Sequence, residues 1–135
     1  MPISKLIISY LLTATVFFAI DMVWLGLIAK KIYNKYLSGF LSPQVNWPPA
    51  IVFYLIFIAG IMVFAIHPAI TKNSPLTAIT LGAFLGVLTY ATYDLTNMAT
   101  LKNWPIQVVL IDIAWGAILT ASVSLAGYYI IKMIT

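Results

Sequence analysis

The chain has three acidic residues, Asp21, Asp94 and Asp112, and no glutamate. Each lies inside an apolar run that looks long enough to cross a bilayer. A carboxylate at that depth is costly to desolvate and by default marks a functional site. Asp94 falls in T-Y-A-T-Y-D-L-T-N-M-A-T-L-K-N-W-P, Thr89 to Pro105, which opens as membrane sequence and passes Thr96 and Asn97 before leaving through Lys102 and Trp104. Asp21 and Asp112 each open an Asp-x-x-Trp turn, with Trp24 and Trp115. Residues three apart share a helix face, so each indole stands beside its carboxylate. Three carboxylates gathered in a low dielectric cannot all stay ionised. They share protons, bind a cation, or accept hydrogen bonds from donors such as Thr96, Asn97, Tyr90 and Tyr93. Trp24, Trp115, Tyr90 and Tyr93 add aromatic faces of the kind that attract cations.

The elements that must position these groups follow from composition. Hydrophobic residues make up 63% of the 135 residues and charged residues 7%, against about a quarter charged in a soluble domain. This is an integral membrane protein. The length holds about four spans of roughly 20 residues each. With no cysteine, the chain has neither disulfide nor thiolate chemistry. The net charge of +4 comes from lysines at segment ends, where they meet lipid headgroups. That pattern points to a membrane surface as partner, not to nucleic acid.

Four spans are expected at residues 3–29, 50–66, 76–100 and 105–133, in an all-α bundle forming one transmembrane domain. Between the first two, Ile32, Tyr33, Tyr36, Leu37, Phe40 and Leu41 recur at helical spacing opposite Lys31, Asn34 and Lys35. This predicts an amphipathic interfacial helix within 30–49, with Trp47-Pro48-Pro49 at the point of re-entry. Pro68 is expected to close the second span after His67, and that lone histidine reads as an interfacial cap. Gly82, Gly86, Tyr90, Asp94 and Asn97 form one stripe on the third span. Asp112, Gly116, Thr120, Ser124 and Gly127 form another on the fourth. The small residues let helices approach closely, and Gly82, Gly86 or Gly116 offer a face for a homodimer.

By the helical rise, Asp21 lies roughly 12 Å before the end of span one and Asp94 roughly 9–12 Å before the end of span three. Asp112 lies roughly 10 Å after the start of span four. In an up-and-down bundle these three ends share one side of the membrane. The three carboxylates therefore belong to one leaflet at similar depth. F-A-I-D-M-V-W-L-G and V-L-I-D-I-A-W-G-A present the same Asp-x-x-Trp turn from antiparallel helices, an echo too short to establish a repeat. The lysines near the acid end (Lys30, Lys31, Lys35, Lys102) and at the other end (Lys5, Lys72, Lys132) differ little in number. The flanks of span one favour the acid end as cytoplasmic.

Y-D-L-T-N-M-A-T-L-K-N-W-P at Tyr93–Pro105, together with the two Asp-x-x-Trp turns, resembles a family of small bacterial four-span predicted membrane proteins of unknown function. The resemblance implies the four-span architecture in a bacterial inner membrane and highlights Asp21, Trp24, Asp94, Thr96, Asn97, Asp112 and Trp115. It implies no cofactor, substrate or activity. In size the chain is similar to small multidrug transporters, but it lacks their motifs and the glutamate they use.

Three functions are compatible with these residues. The first is binding, or proton-coupled transport, of a cationic or amphipathic small molecule at Asp21, Trp24, Tyr90, Tyr93, Asp94, Thr96, Asn97, Asp112 and Trp115. The second is a membrane-embedded enzyme acting on a lipid or isoprenoid, with one aspartate as general acid or base. The third is a non-catalytic assembly factor for other membrane proteins; the purely structural reading of the aspartates is that, protonated, they hydrogen-bond helices together at about 0.6 kcal/mol each. A carboxylate-bound divalent metal is a variant of the second function, though no histidine lies at the depth of the carboxylates, and no metal site is assigned.

Overall fold

The computed structural model describes residues 1–135 and is helical throughout, with no strand. Four helices, α1 (Ile3–Tyr36), α2 (Trp47–Lys72), α3 (Pro75–Thr100) and α4 (Ile106–Ile134), are each long and apolar enough to cross a membrane. The protein is an all-α, multi-pass membrane four-helix bundle.

The helix ends follow local chemistry. Pro48 and Pro49 occupy the first turn of α2, where a missing N–H is harmless. Pro75 does the same for α3, and the Ser74 hydroxyl accepts a hydrogen bond from the Thr77 N–H at 3.1 Å as its N-cap. Between α2 and α3, Asn73 takes a left-handed conformation with φ 50°. Its side-chain oxygen accepts hydrogen bonds from Tyr128 and Lys132 of α4, which ties the turn to the end of the last helix.

Two boundaries differ from the sequence expectation, and both differences involve a π-helical turn. The second helix does not stop at Pro68. A π-helical turn at Met62–Ile66 precedes His67-Pro68, and the helix continues to Lys72. A proline removes one backbone donor and crowds the preceding turn, and the wider π turn accommodates both effects. Lys30–Tyr36 is helical but does not lie apart from the first span. It continues α1 through a π-helical turn at Trp24–Ala29. At 34 residues, α1 is about 51 Å long and exceeds the roughly 30 Å hydrocarbon thickness. Its final turns therefore project toward the headgroups, with Lys30, Lys31 and Lys35 exposed. Leu37 is buried against Trp104, Val108 and Val109, with Tyr33 and Tyr36 packed beside it. That packing holds the end of α1 against the start of α4 instead of letting it lie flat.

The central core joins Phe17 of α1, Ile58, Ile61 and Ile66 of α2, and Leu119 and Val123 of α4. The tightest contact is between α3 and α4. A Cβ on Gly82 would stand 2.8 Å from the Thr120 carbonyl oxygen, and one on Gly86 would overlap the Gly116 carbonyl. Gly82, Gly86 and Gly116 are thus filled against α4 and α3 of the same chain. A homodimer would have to form on another face.

Candidate functional site

All four helices contribute to one cavity of about 360 Å³ near the acid end of the bundle. From α1 come Asp21, Trp24, Leu25 and Tyr33, and from α2 Phe53 and Tyr54. From α3 come Thr89, Tyr90 and Tyr93, and from α4 Asp112 and Trp115. Phe53 and Tyr93, which line it, are also exposed at the bundle surface. No lysine or histidine lines it.

The three aspartates are 3%, 0% and 4% exposed in chain order, so none is solvated as a surface carboxylate would be. Each accepts a hydrogen bond from an aromatic donor brought by a different segment. The Trp115 indole N–H of α4 donates to Asp21 Oδ1 of α1 at 3.3 Å. In the reverse direction, the Tyr33 hydroxyl of α1 donates to Asp112 Oδ1 of α4. The Trp104 indole N–H, in the connection after α3, donates to Asp94 Oδ1 at 3.3 Å. Asp94 is outside the cavity wall and joins the site through Asp112, whose carboxyl is its neighbour. Its second oxygen, Oδ2, is buried with no hydrogen-bond partner. The Tyr54 hydroxyl stands close to Asp21.

Trp24 and Trp115 stack face to face, with ring centroids 4.5 Å apart and planes 9° from parallel. Each follows its aspartate by three residues. The two antiparallel Asp-x-x-Trp turns thus meet as a crossed pair, with each indole against the other and one indole N–H on the opposite helix's carboxylate.

Of the nine residues expected at the site, Asp21, Trp24, Tyr90, Tyr93, Asp112 and Trp115 line the cavity together. Asp94 is adjacent to them. Thr96 and Asn97 do not line it. Thr96 is exposed and Asn97 half-buried. Two residues past Asp94 is about 200° around the helix, which turns Thr96 away, and Asn97 sits a turn beyond, beside Tyr93.

Tyr33, Tyr54, Phe53, Leu25 and Thr89 join the site without having been expected there. Tyr33 has a specific explanation. Twelve residues beyond Asp21, a regular α-helix would place it about 120° away. The π-helical turn at Trp24–Ala29 holds an extra residue and reverses about 100° of that rotation. Tyr33 is thereby brought almost into line with Asp21, close enough to reach Asp112. Tyr54 and Phe53 fall in an uncharged apolar run with no polar neighbour to single them out.

A family model described as Predicted membrane protein (DUF2177) matches residues 6–129. The chain belongs to this family of membrane proteins of unknown function. No curated protein and no solved structure matches it.

Proposed function

We propose that this membrane protein binds a cationic or amphipathic small molecule in its acid cavity and exchanges it for a proton. The observation that carries the proposal is the cavity lining. Two buried carboxyls, Asp21 and Asp112, face a space whose other walls are mainly aromatic and which holds no basic side chain. A cation there supplies the countercharge that the protein does not. The faces of Trp24, Trp115 and Tyr90 supply quadrupole attraction, which strengthens when the cation is desolvated. Asp94, fully buried beside Asp112 and removed from the cavity wall, is suited to hold the proton while a cation occupies the cavity. The helical spans fit a bacterial inner membrane. A transport cycle using two copies would need a dimer contact away from Gly82, Gly86 and Gly116.

The test is a titration of purified protein in lipid nanodiscs with tetraethylammonium, following heat and proton release in weak buffer. Saturable binding with proton release is expected in the wild type, weakened at least tenfold in Asp21→Asn and Asp112→Asn. Absence of saturable binding, or binding indifferent to both substitutions, would overturn the proposal.

A further inference from the structure

The two Asp-x-x-Trp turns run in opposite directions, so their crossing at the Trp24–Trp115 stack sets one carboxyl on either side of it. Asp21 precedes Trp24 by three residues on α1, on the side away from the acid end of the bundle. Asp112 precedes Trp115 by three residues on α4, on the side toward that end. With the indoles level, the helical rise separates the two aspartates by about 9 Å along the bundle axis. A second contact between the same helices agrees. A Cβ on Gly127 would stand 3.2 Å from the Thr13 hydroxyl, which sets those two residues at one level. Asp21 lies eight residues beyond Thr13, and Asp112 lies fifteen residues before Gly127, which leaves about 10 Å between them. Every Cα–Cβ bond tilts toward its helix's N-terminus. Those termini lie at opposite ends of the bundle, so the two carboxyls lean apart. Between them the cavity wall is aromatic, with the indole pair at its middle and the Tyr90 ring packed where a Gly116 Cβ would stand. Each carboxyl also has its own phenol. Tyr54 stands beside Asp21, and Tyr33 donates to Asp112. One cavity of about 360 Å³ thus has two matching acidic ends and an aromatic middle.

We propose that the ligand is an aliphatic diamine bound as its dication, with one ammonium at Asp21, the other at Asp112 and the methylene chain against the aromatic middle. This rests on the acid-cavity reading above and names the class of ligand for that site. Reach decides between one ammonium and two. A charge-assisted N–H···O bond spans about 2.7–2.9 Å, so a single ammonium cannot bond two carboxyls about 9–10 Å apart. A monocation at one end leaves the other carboxyl buried without countercharge, and no basic side chain lines the cavity to supply it. A dication neutralises both. Its methylenes need no hydrogen bond, and the aromatic rings between the carboxyls give them dispersion contact. The likeness of the two ends, which follows from the crossed Asp-x-x-Trp turns, matches a ligand whose own ends are identical.

The experiment titrates butylamine, its terminal diamine putrescine, and tetraethylammonium into the protein in phosphatidylcholine nanodiscs, with empty nanodiscs subtracted. Engaging both ends raises affinity through effective concentration, so putrescine is expected to bind one per chain and at least tenfold more tightly than butylamine. In Asp21→Asn and in Asp112→Asn that preference is expected to fall to about twofold, the statistical factor for two identical ends. The wild-type comparison of monoamine with diamine needs no variant to fold. If tetraethylammonium binds with its dependence on both aspartates but putrescine gains nothing over butylamine, the diamine proposal is overturned and the acid-cavity reading stands. A tenfold preference that persists in both variants also overturns it, because the second ammonium would then lie elsewhere. Two putrescine molecules per chain, one at each carboxyl, would overturn it as well. Should none of the three compounds bind the wild type, both readings fail together.

Discussion

Trp24 and Trp115 stack at 4.5 Å and 9°, and each is carried by an Asp-x-x-Trp turn on one of two antiparallel helices. The stack couples α1 to α4 at the level of the carboxyls. Its hydrogen bond from Trp115 to Asp21 ties the same two helices through a second pair of atoms.

Aromatic pairs add about 0.5–1.5 kcal/mol beyond the area they bury. A double-mutant cycle of Trp24→Ala and Trp115→Ala should therefore show a coupling energy in that range, measured by unfolding in mixed micelles. Trp115→Phe keeps an aromatic face but removes the N–H, so it should preserve much of the coupling while releasing Asp21. Additive losses in the double variant would mean that the stack does not join the helices.

The glycines of α3 and α4 give a sharper contrast. Gly86→Ala places a methyl onto the Gly116 carbonyl, which cannot move aside without shifting α4. Overpacking of this kind costs about 1–3 kcal/mol or more. At Gly60, by comparison, an added Cβ meets nothing within 4 Å. Gly60→Ala should be neutral or stabilise the helix, by up to about 1 kcal/mol. Equal effects of the two substitutions on the unfolding midpoint would contradict the close α3–α4 approach.

Much of this was legible in the sequence, and the part that was not has a physical cause. The span count followed from apolar length, and the meeting of the acid-bearing helix ends followed from that count alone. Asp21, Asp112 and the two tryptophans were visible because charge and indole are rare in apolar runs. Tyr33 reads as part of an interfacial helix because it recurs with Ile32, Tyr36 and Leu37 opposite Lys31 and Lys35, and no regular 3.6-residue period from Asp21 brings it to the site. The π-helical turn that returns it leaves no mark on hydrophobic periodicity. The continuation of α2 past Pro68 was missed for the same reason. A proline predicts a break only when the helix cannot widen to accept it.

Asp94 and Asp112 are buried neighbouring carboxyls on the closely packed helices α3 and α4, and the proposed proton-holding role of Asp94 requires that the two titrate as a pair. Infrared difference spectra across pH should show the Asp112 carboxyl band titrating differently in Asp94→Asn than in the wild type, with the midpoint displaced by about one unit or more. Asp21→Asn should displace it less, because the carboxyl beside Asp112 is that of Asp94. Identical Asp112 titrations with and without Asp94 would dissolve the pair. The proton-holding role given to Asp94 would go with it.

The bond from Trp104 to Asp94 tests what the buried carboxyl costs. Asp94 is fully buried, its Oδ2 has no hydrogen-bond partner, and the Trp104 N–H is the only donor within hydrogen-bond distance of Oδ1. Trp104→Phe keeps a ring in the packing with Phe40 and Tyr93 but strips Asp94 of that donor. Leaving a buried polar group unsatisfied costs about 1–3 kcal/mol, whereas removing both partners of a bond together is close to neutral. Trp104→Phe should therefore destabilise the wild type by about 1–3 kcal/mol and do much less in an Asp94→Leu background. The same substitution in the wild type should also shift the Asp94 carboxyl stretch, which change in packing alone would leave in place. A loss of stability equal in both backgrounds would assign the effect to the ring's packing. The hydrogen bond would then contribute nothing to holding Asp94 in its buried position.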